Sequence, residues 1–88
     1  MFGEGEVTDR DRMVATATKF KIAMARAGLY ESVVRLVEQK SIDLETTIKW
    51  QHSINVYRTD PWINELAEKI GVSEEQLDDL FEASWSVD

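Results

Sequence analysis

The sequence predicts a small all-α domain, a bundle of about five helices that ends in a helix–Gly–turn–helix hairpin. Three observations indicate this fold class: apolar residues recur every three or four positions, capping residues precede these runs, and glycine or proline separates them. No segment alternates apolar and polar residues clearly enough to predict a strand. The 88 residues suit one domain, assigned to residues 8–88. Residues 1–7 hold two glycines and little apolar material, and are expected to form a flexible N-terminal arm.

The first helix is predicted from an apolar stripe that ends at a glycine. A capping-box pattern at Thr8–Asp11 opens the helix, with Asp in the position of the usual Glu. The stripe follows alternating four- and three-residue steps and consists of Met13, Ala17, Phe20, Met24 and Ala27. Gly28 ends the helix, because glycine readily adopts the left-handed conformation of a helix C-terminus. The near-heptad spacing is too short to establish a coiled coil, but it leaves a homo-oligomer open.

Two further helices are predicted between Gly28 and the single proline. The second helix ends near Glu38–Lys40, and its apolar positions are Leu29, Val33, Leu36 and Val37. Asp43 is a suitable N-cap for the third helix. The third helix is expected to continue to about Tyr57, and one face holds Thr47, Trp50, Ile54 and Tyr57, with Leu44 and Ile48 beside it.

The predicted hairpin has strong local boundary signals. Asp60-Pro61 starts the fourth helix, because Asp can cap it and proline is favoured in its first turn. Gly71 ends that helix, and Ser73 with Gln76 forms a capping box for the fifth. The apolar positions of the two helices are Ile63, Leu66, Ala67, Ile70, Leu77, Leu80, Phe81 and Trp85.

The charge of the hairpin conflicts with its outline, which is that of a DNA-binding helix-turn-helix. Residues 61–88 hold eight acids and one base, Lys69, whereas residues 1–60 hold nine of each, so the net charge of −7 belongs to the C-terminal part. A DNA reader places its second helix in the major groove and depends on basic contacts to phosphate. The second helix here contains four acids between Ser73 and Phe81 and no base. Nucleic acid is therefore not expected as a partner, and the acids are interpreted as a solvated or docking face.

No pattern in the chain predicts catalysis, a metal site or a cofactor. The absence of cysteine excludes disulfides, thiol nucleophiles and cysteine-based zinc sites. His52 is the single histidine and has no suitably spaced partner for general-base or metal chemistry. The acids of the last helix lack the loop geometry of a calcium site. The N-terminus is not that of a signal peptide, and no apolar run approaches the length of a membrane helix. We therefore expect a non-enzymatic protein without cofactors, and no membrane partner.

Candidate partner-binding residues come from the apolar stripe of the first helix and from the tryptophans. Trp50 is interpreted as core, whereas Trp62 and Trp85 could each lie in the core or at an interface, where tryptophan is enriched. The candidates are Met13, Phe20, Met24, Trp62 and Trp85.

Three segments of the chain carry a recognisable pattern: KIAMARAGLYESV at 21–33, IKWQHSINVYRTDPWI at 48–63 and ELAEKIGVSEEQLDDLF at 65–81. Within them, the distinctive positions are Gly28-Leu29, Trp50, Arg58 with Asp60-Pro61, and the run from Gly71 to Phe81. Together they resemble a family of short proteins that tailed bacteriophages and prophages encode near tail-fibre and other late structural genes. The resemblance covers about residues 20–82, and residues 1–19 have no clear counterpart in it.

The resemblance implies a structural or assembly component of a phage tail or virion. Its expected partners are other phage structural proteins or further copies of itself, in the virion or in the host cytoplasm during assembly. The charge supports an alternative, a small acidic regulatory protein that occupies a basic site on a host or phage protein as a nucleic-acid mimic. A transcriptional regulator would need a basic face drawn from residues 10–26.

Overall fold

A computed structural model of the chain describes residues 9–87, which are mostly helical and also contain one small antiparallel sheet. The predicted arm at residues 1–7 and Thr8 of the first capping box lie outside the described residues. The described elements, in chain order, are α1 (Asp9–Arg12), β1 (Val14–Thr16), α2 (Ala17–Arg26), α3 (Tyr30–Glu38), α4 (Leu44–His52), β2 (Asn55–Tyr57), α5 (Pro61–Lys69) and α6 (Glu74–Trp85).

The expectation that the chain contains no strand is wrong. β1 and β2 pair antiparallel, with Ala15 opposite Val56 at the centre of the register. Hydrogen bonds extend the ladder at both ends: the Arg58 N–H donates to the Met13 carbonyl at 3.0 Å, and the Ala17 N–H donates to the Ile54 carbonyl at 2.8 Å. Each strand is only three residues long, so an alternating pattern cannot be distinguished from a helical one in the sequence.

The sheet shortens two of the predicted helices. The first predicted helix is divided into α1, β1 and α2, so that Met13 precedes a strand and α2 begins only at Ala17. Thr16 ends the strand and caps α2, because its hydroxyl accepts a hydrogen bond from the Lys19 N–H at 3.3 Å. The third predicted helix ends at His52 instead of Tyr57, since Ser53 takes an extended conformation that leads into β2.

Helices α2 and α5 end two residues before Gly28 and Gly71, the glycines expected to stop them. Gly28 and Gly71 have φ angles of +76° and +78°, which residues other than glycine rarely adopt. After each glycine the chain closes the preceding helix: Leu29 N–H donates to the Met24 carbonyl at 2.9 Å, and Val72 N–H to the Ala67 carbonyl at 2.8 Å.

Of the predicted N-caps at Asp43, Asp60 and Ser73, only Ser73 makes a side-chain capping hydrogen bond. Ser73 and Gln76 form the predicted capping box, with reciprocal hydrogen bonds of 3.1 and 2.9 Å. Asp43 and Asp60 occupy N-cap positions as predicted, but neither side chain makes a capping hydrogen bond. At Asp60 the Asn64 side chain instead donates to the backbone carbonyl at 2.8 Å.

The core lies where α2 packs against α6. Phe20 of α2 and Phe81 of α6 are fully buried, and their ring centroids are 4.8 Å apart in a tilted arrangement. Val33, Val56 and Leu66 add fully buried side chains from α3, β2 and α5. Most of the predicted apolar positions of α5 and α6 therefore lie in one shared core, with Trp85 as an exposed exception, and α6 packs mainly against α2 and β1.

Candidate functional site

An apolar patch of three side chains lies where the small sheet meets the end of α6. Val14, Tyr57 and Trp85 are 40%, 48% and 51% exposed, respectively. Val14 and Tyr57 are directly opposite each other in the sheet register, so their side chains leave the same face. The Trp85 Nε1–H donates to the Val14 carbonyl at 2.8 Å, which fixes the indole beside the strand. We call these three residues the Trp85 patch.

A buried arginine next to the patch joins the sheet to α6. Arg58 follows Tyr57 in the chain, and only 3% of it is exposed. Its Nε donates to Oδ1 of Asp78 at 2.7 Å, and its Nη1 donates to Oδ1 of Asn64 at 2.6 Å. Nη2 reaches the carbonyl of Glu74 at 3.3 Å. The guanidinium thus connects β2 with both C-terminal helices.

Asp78 receives a second arginine from the N-terminal part of the chain. Arg10 of α1 donates from Nη2 to Oδ2 of Asp78 at 3.0 Å, and its Nη1 lies 3.9 Å from Oε1 of Glu74. Burial raises the pKa of the Asp78 carboxyl, but the hydrogen bonds and charges of Arg10 and Arg58 outweigh it, so the pKa lies below its ordinary value. The hydrogen bond to Asp78 also raises the pKa of Arg10. We call Arg10, Arg58, Asn64 and Asp78 the Asp78 cluster.

The Asp78 cluster and the Trp85 patch share two elements of the fold. Arg58 adjoins Tyr57 on β2, and Asp78 lies two helical turns before Trp85 on α6. A surface whose side chains are already ordered loses less conformational entropy when a partner binds. The indole of Trp85 is ordered in this sense by its hydrogen bond to the Val14 carbonyl.

Four of the five predicted partner-binding residues lie in the core of the chain. Met13, Phe20, Met24 and Trp62 are each less than 9% exposed. Their spacing, which suggested a contact stripe, is also the spacing by which a helix covers its own core. They offer a partner almost no surface, whereas Trp85 is half exposed.

Sequence reasoning missed Val14 and Tyr57 as surface residues and assigned Asp78 to a solvated face. Asp78 is instead an internal ion-pair partner with a side chain only 22% exposed. Burial alternates in Val14–Thr16 and again in Asn55–Arg58, where the inward positions are Ala15, Val56 and Arg58, but runs this short carry no sequence signal that distinguishes a strand from a helix.

The remaining C-terminal acids form an exposed acidic surface on α5 and α6. Its members are Glu65, Glu68, Glu74, Glu75, Asp79 and Glu82. Lys69 is the single base in these two helices and is also exposed. The expected acidic face is therefore present without Asp78.

The remaining features to consider are His52, possible metal or membrane sites, and a groove at Lys21. His52 is exposed at the end of α4. Within residues 9–87, no group of three or more His, Cys, Asp or Glu residues is arranged to hold a metal ion. In the same part of the chain, none of the helices combines the length and apolar character required to cross a membrane. A shallow groove contains Lys21, whose ammonium lies 4.7 Å from the centre of a ring of Trp50, and burial lowers the pKa of Lys21.

Comparison of the chain with protein-family models, curated proteins and solved structures finds no match. Function is therefore inferred from the surfaces of the chain itself.

Proposed function

We propose that the protein is a non-catalytic structural or assembly component of a tailed bacteriophage, acting through helix-mediated protein–protein contacts in the tail or virion. The observation that carries this proposal is the Trp85 patch, with a half-exposed indole fixed beside Val14 and Tyr57. Tryptophan and tyrosine contribute a disproportionate share of the binding energy at protein interfaces. The phage context comes from the sequence resemblance over residues 20–82.

In this proposal α5, Gly71 and α6 act as one helical hairpin that supports the patch. Leu77, Leu80 and Phe81 attach α6 to the core, and the Asp78 cluster attaches it to β2. Trp85, at the exposed end of the same helix, then contacts another phage protein. The protein acts in the virion, or in the host cytoplasm during assembly.

The proposal is tested by locating the protein in a phage or prophage system that encodes it. Quantitative mass spectrometry of purified particles and of assembly intermediates should find it at a constant copy number. Trp85→Ala should lower its incorporation at least about tenfold, the effect of losing an interface tryptophan worth more than 1.4 kcal/mol. Ile54→Ser is the matched control, because Ile54 is a large apolar residue that is 82% exposed outside the patch. Absence from both particles and intermediates would contradict the proposal.

The acidic surface supports a second candidate, a regulatory protein that occupies a basic site on a host or phage protein. Six exposed carboxylates on α5 and α6, with Lys69 as the single base, could imitate the phosphates of a nucleic acid. Such a complex depends on charge and should weaken steeply as salt rises. A contact through the Trp85 patch is mainly apolar and should change little over the same range.

A further inference from the structure

The small sheet has two outer edges, and the edge at β1 is closed. Met13 and Ala17 form hydrogen bonds to the β2 side, so the backbone groups of Val14, which alternate with theirs, point away from β2. On this outer side the Val14 carbonyl accepts the hydrogen bond from Trp85, and α6 packs along β1. A further strand therefore has no access to β1.

The outer edge of β2 is open. The same alternation directs the backbone groups of Asn55 and Tyr57 away from β1. The Tyr57 carbonyl accepts a hydrogen bond from the Asp60 N–H at 3.0 Å. The Asn55 N–H, the Asn55 carbonyl and the Tyr57 N–H have no hydrogen-bond partner among residues 9–87, and both residues are exposed. We call these three backbone groups the β2 edge.

The β2 edge specifies the kind of chain that can bind it. Its groups follow in the order N–H, carbonyl, N–H, which an extended backbone about 4.8 Å away matches with its own alternating carbonyl and N–H groups. A helix uses these groups internally and cannot offer them along its side. In strand addition of this kind the backbone supplies affinity, and alternate side chains supply specificity.

The β2 edge is continuous with the Trp85 patch. Across the sheet, the patch runs from Trp85 beside β1 through Val14 to Tyr57, which stands next to the open edge. A strand added at this edge would continue the row with one of its own side chains, placed beside Tyr57. A partner that binds the patch is therefore also in position to bind the β2 edge.

We propose that an extended segment of the partner protein pairs with the β2 edge as a third strand of the sheet. The segment supplies two carbonyls and one N–H to the β2 edge, and it places an apolar side chain against Tyr57. This inference rests on the proposed function, because it describes the partner that binds the Trp85 patch.

A backbone variant separates strand pairing from side-chain contact. Asn55→Pro removes one N–H of the β2 edge, and proline is tolerated at strand edges, so thermal melting should show that the fold persists. In the phage or prophage system that encodes the protein, this variant should lower incorporation into particles or assembly intermediates at least about tenfold. Asn55→Ala is the matched control, since it loses the side chain but keeps the N–H, and it should be incorporated normally.

Hydrogen exchange of the natural chain provides a second measurement. In the free chain the amides of Asn55 and Tyr57 should exchange rapidly, whereas the Val56 amide, which points to β1, should exchange slowly. Short peptides selected from a random library for binding to the natural chain serve as the probe. A bound peptide should slow the exchange of the Asn55 and Tyr57 amides, and it should bind Asn55→Pro at least about tenfold more weakly.

The proposal is overturned if Asn55→Pro folds and is incorporated like the natural chain, if Asn55→Ala is lost to the same extent, or if no selected peptide protects the two amides. It is also overturned if these amides are protected in the free chain, because a second copy or another segment of the same chain then covers the β2 edge. If Asn55→Pro does not fold, protection by the peptides decides. If the protein is absent from particles and intermediates, the proposed function fails, and the peptides alone decide whether the β2 edge accepts an extended segment.

Discussion

Removing the carboxylate of Asp78 should destabilise the fold far more than removing the carboxylate of Asp79, the next residue in the chain. In Asp78→Ala, Arg58 loses the one carboxylate to which it is ion-paired among residues 9–87, while its guanidinium remains buried. Loss of one partner from a buried pair typically costs about 3–5 kcal/mol. The lower end applies here, because Arg58 keeps the Asn64 oxygen and the Glu74 carbonyl. We therefore expect a loss of about 3 kcal/mol.

Urea unfolding followed by tryptophan fluorescence measures this loss. In a domain of this size, about 3 kcal/mol also lowers Tm by roughly 12–24 °C. Asp79→Ala is the matched control, since Asp79 is the next residue in the chain and is exposed; it should change stability by less than about 0.5 kcal/mol. In the pair Arg58→Met with Asp78→Leu, much of the loss should be recovered, because no buried charge is left unpaired. If Asp78→Ala behaves like Asp79→Ala, the Asp78 cluster does not hold the fold together.

Three further predictions follow from individual contacts. The pKa of Asp78 is lower in the folded chain than its unfolded value of about 3.9. The ionised carboxylate therefore stabilises the fold above that pH, and this stabilisation is lost as pH falls through the folded pKa. In urea titrations between about pH 6 and pH 2, the difference in stability between the natural chain and Asp78→Asn should shrink as the pH falls. Ser73→Ala should cost about 1 kcal/mol by removing the capping hydrogen bond to the Gln76 N–H, whereas Ser86→Ala should be close to neutral in the same thermal melt. Trp85→Phe keeps most of the apolar surface but loses the hydrogen-bond donor to the Val14 carbonyl. It should lower the free energy of unfolding, measured with urea, by no more than about 1.5 kcal/mol. A larger decrease would mean that the indole also supports the core.

The α5–α6 segment could be predicted from the sequence because its determinants are local. Pro61 stands in the first turn of its helix, Gly71 supplies the positive φ that ends it, and Ser73 and Gln76 cap the next one within four residues. Each signal acts between residues that are close in the chain, so no tertiary information is required to recognise it.

The sheet and the Asp78 cluster could not be predicted, because their determinants are remote. Arg10 and Asp78 are 68 residues apart in the chain, and Trp85 and Val14 are 71 apart. A single sequence gives no indication that such residues meet. The spacing of Met13 from Ala17 fits a helical face, but backbone pairing with the β2 strand overrides that local preference.

The position of Asp78 explains why an acidic helix can stabilise the fold. Three sides of α6 have different roles: Phe81 fills the core, Asp78 binds two arginines from outside the helix, and Glu75 and Asp79 face solvent. Without Arg10 and Arg58, Asp78 would be a partly buried charge that opposes folding. With them, one acid of the C-terminal segment is compensated by two bases from residues 1–60, and the other acids of α5 and α6 remain exposed. Trp85, on the same helix, is joined directly to the sheet by its hydrogen bond to the Val14 carbonyl, so α6 is connected to the sheet at two points, Asp78 and Trp85.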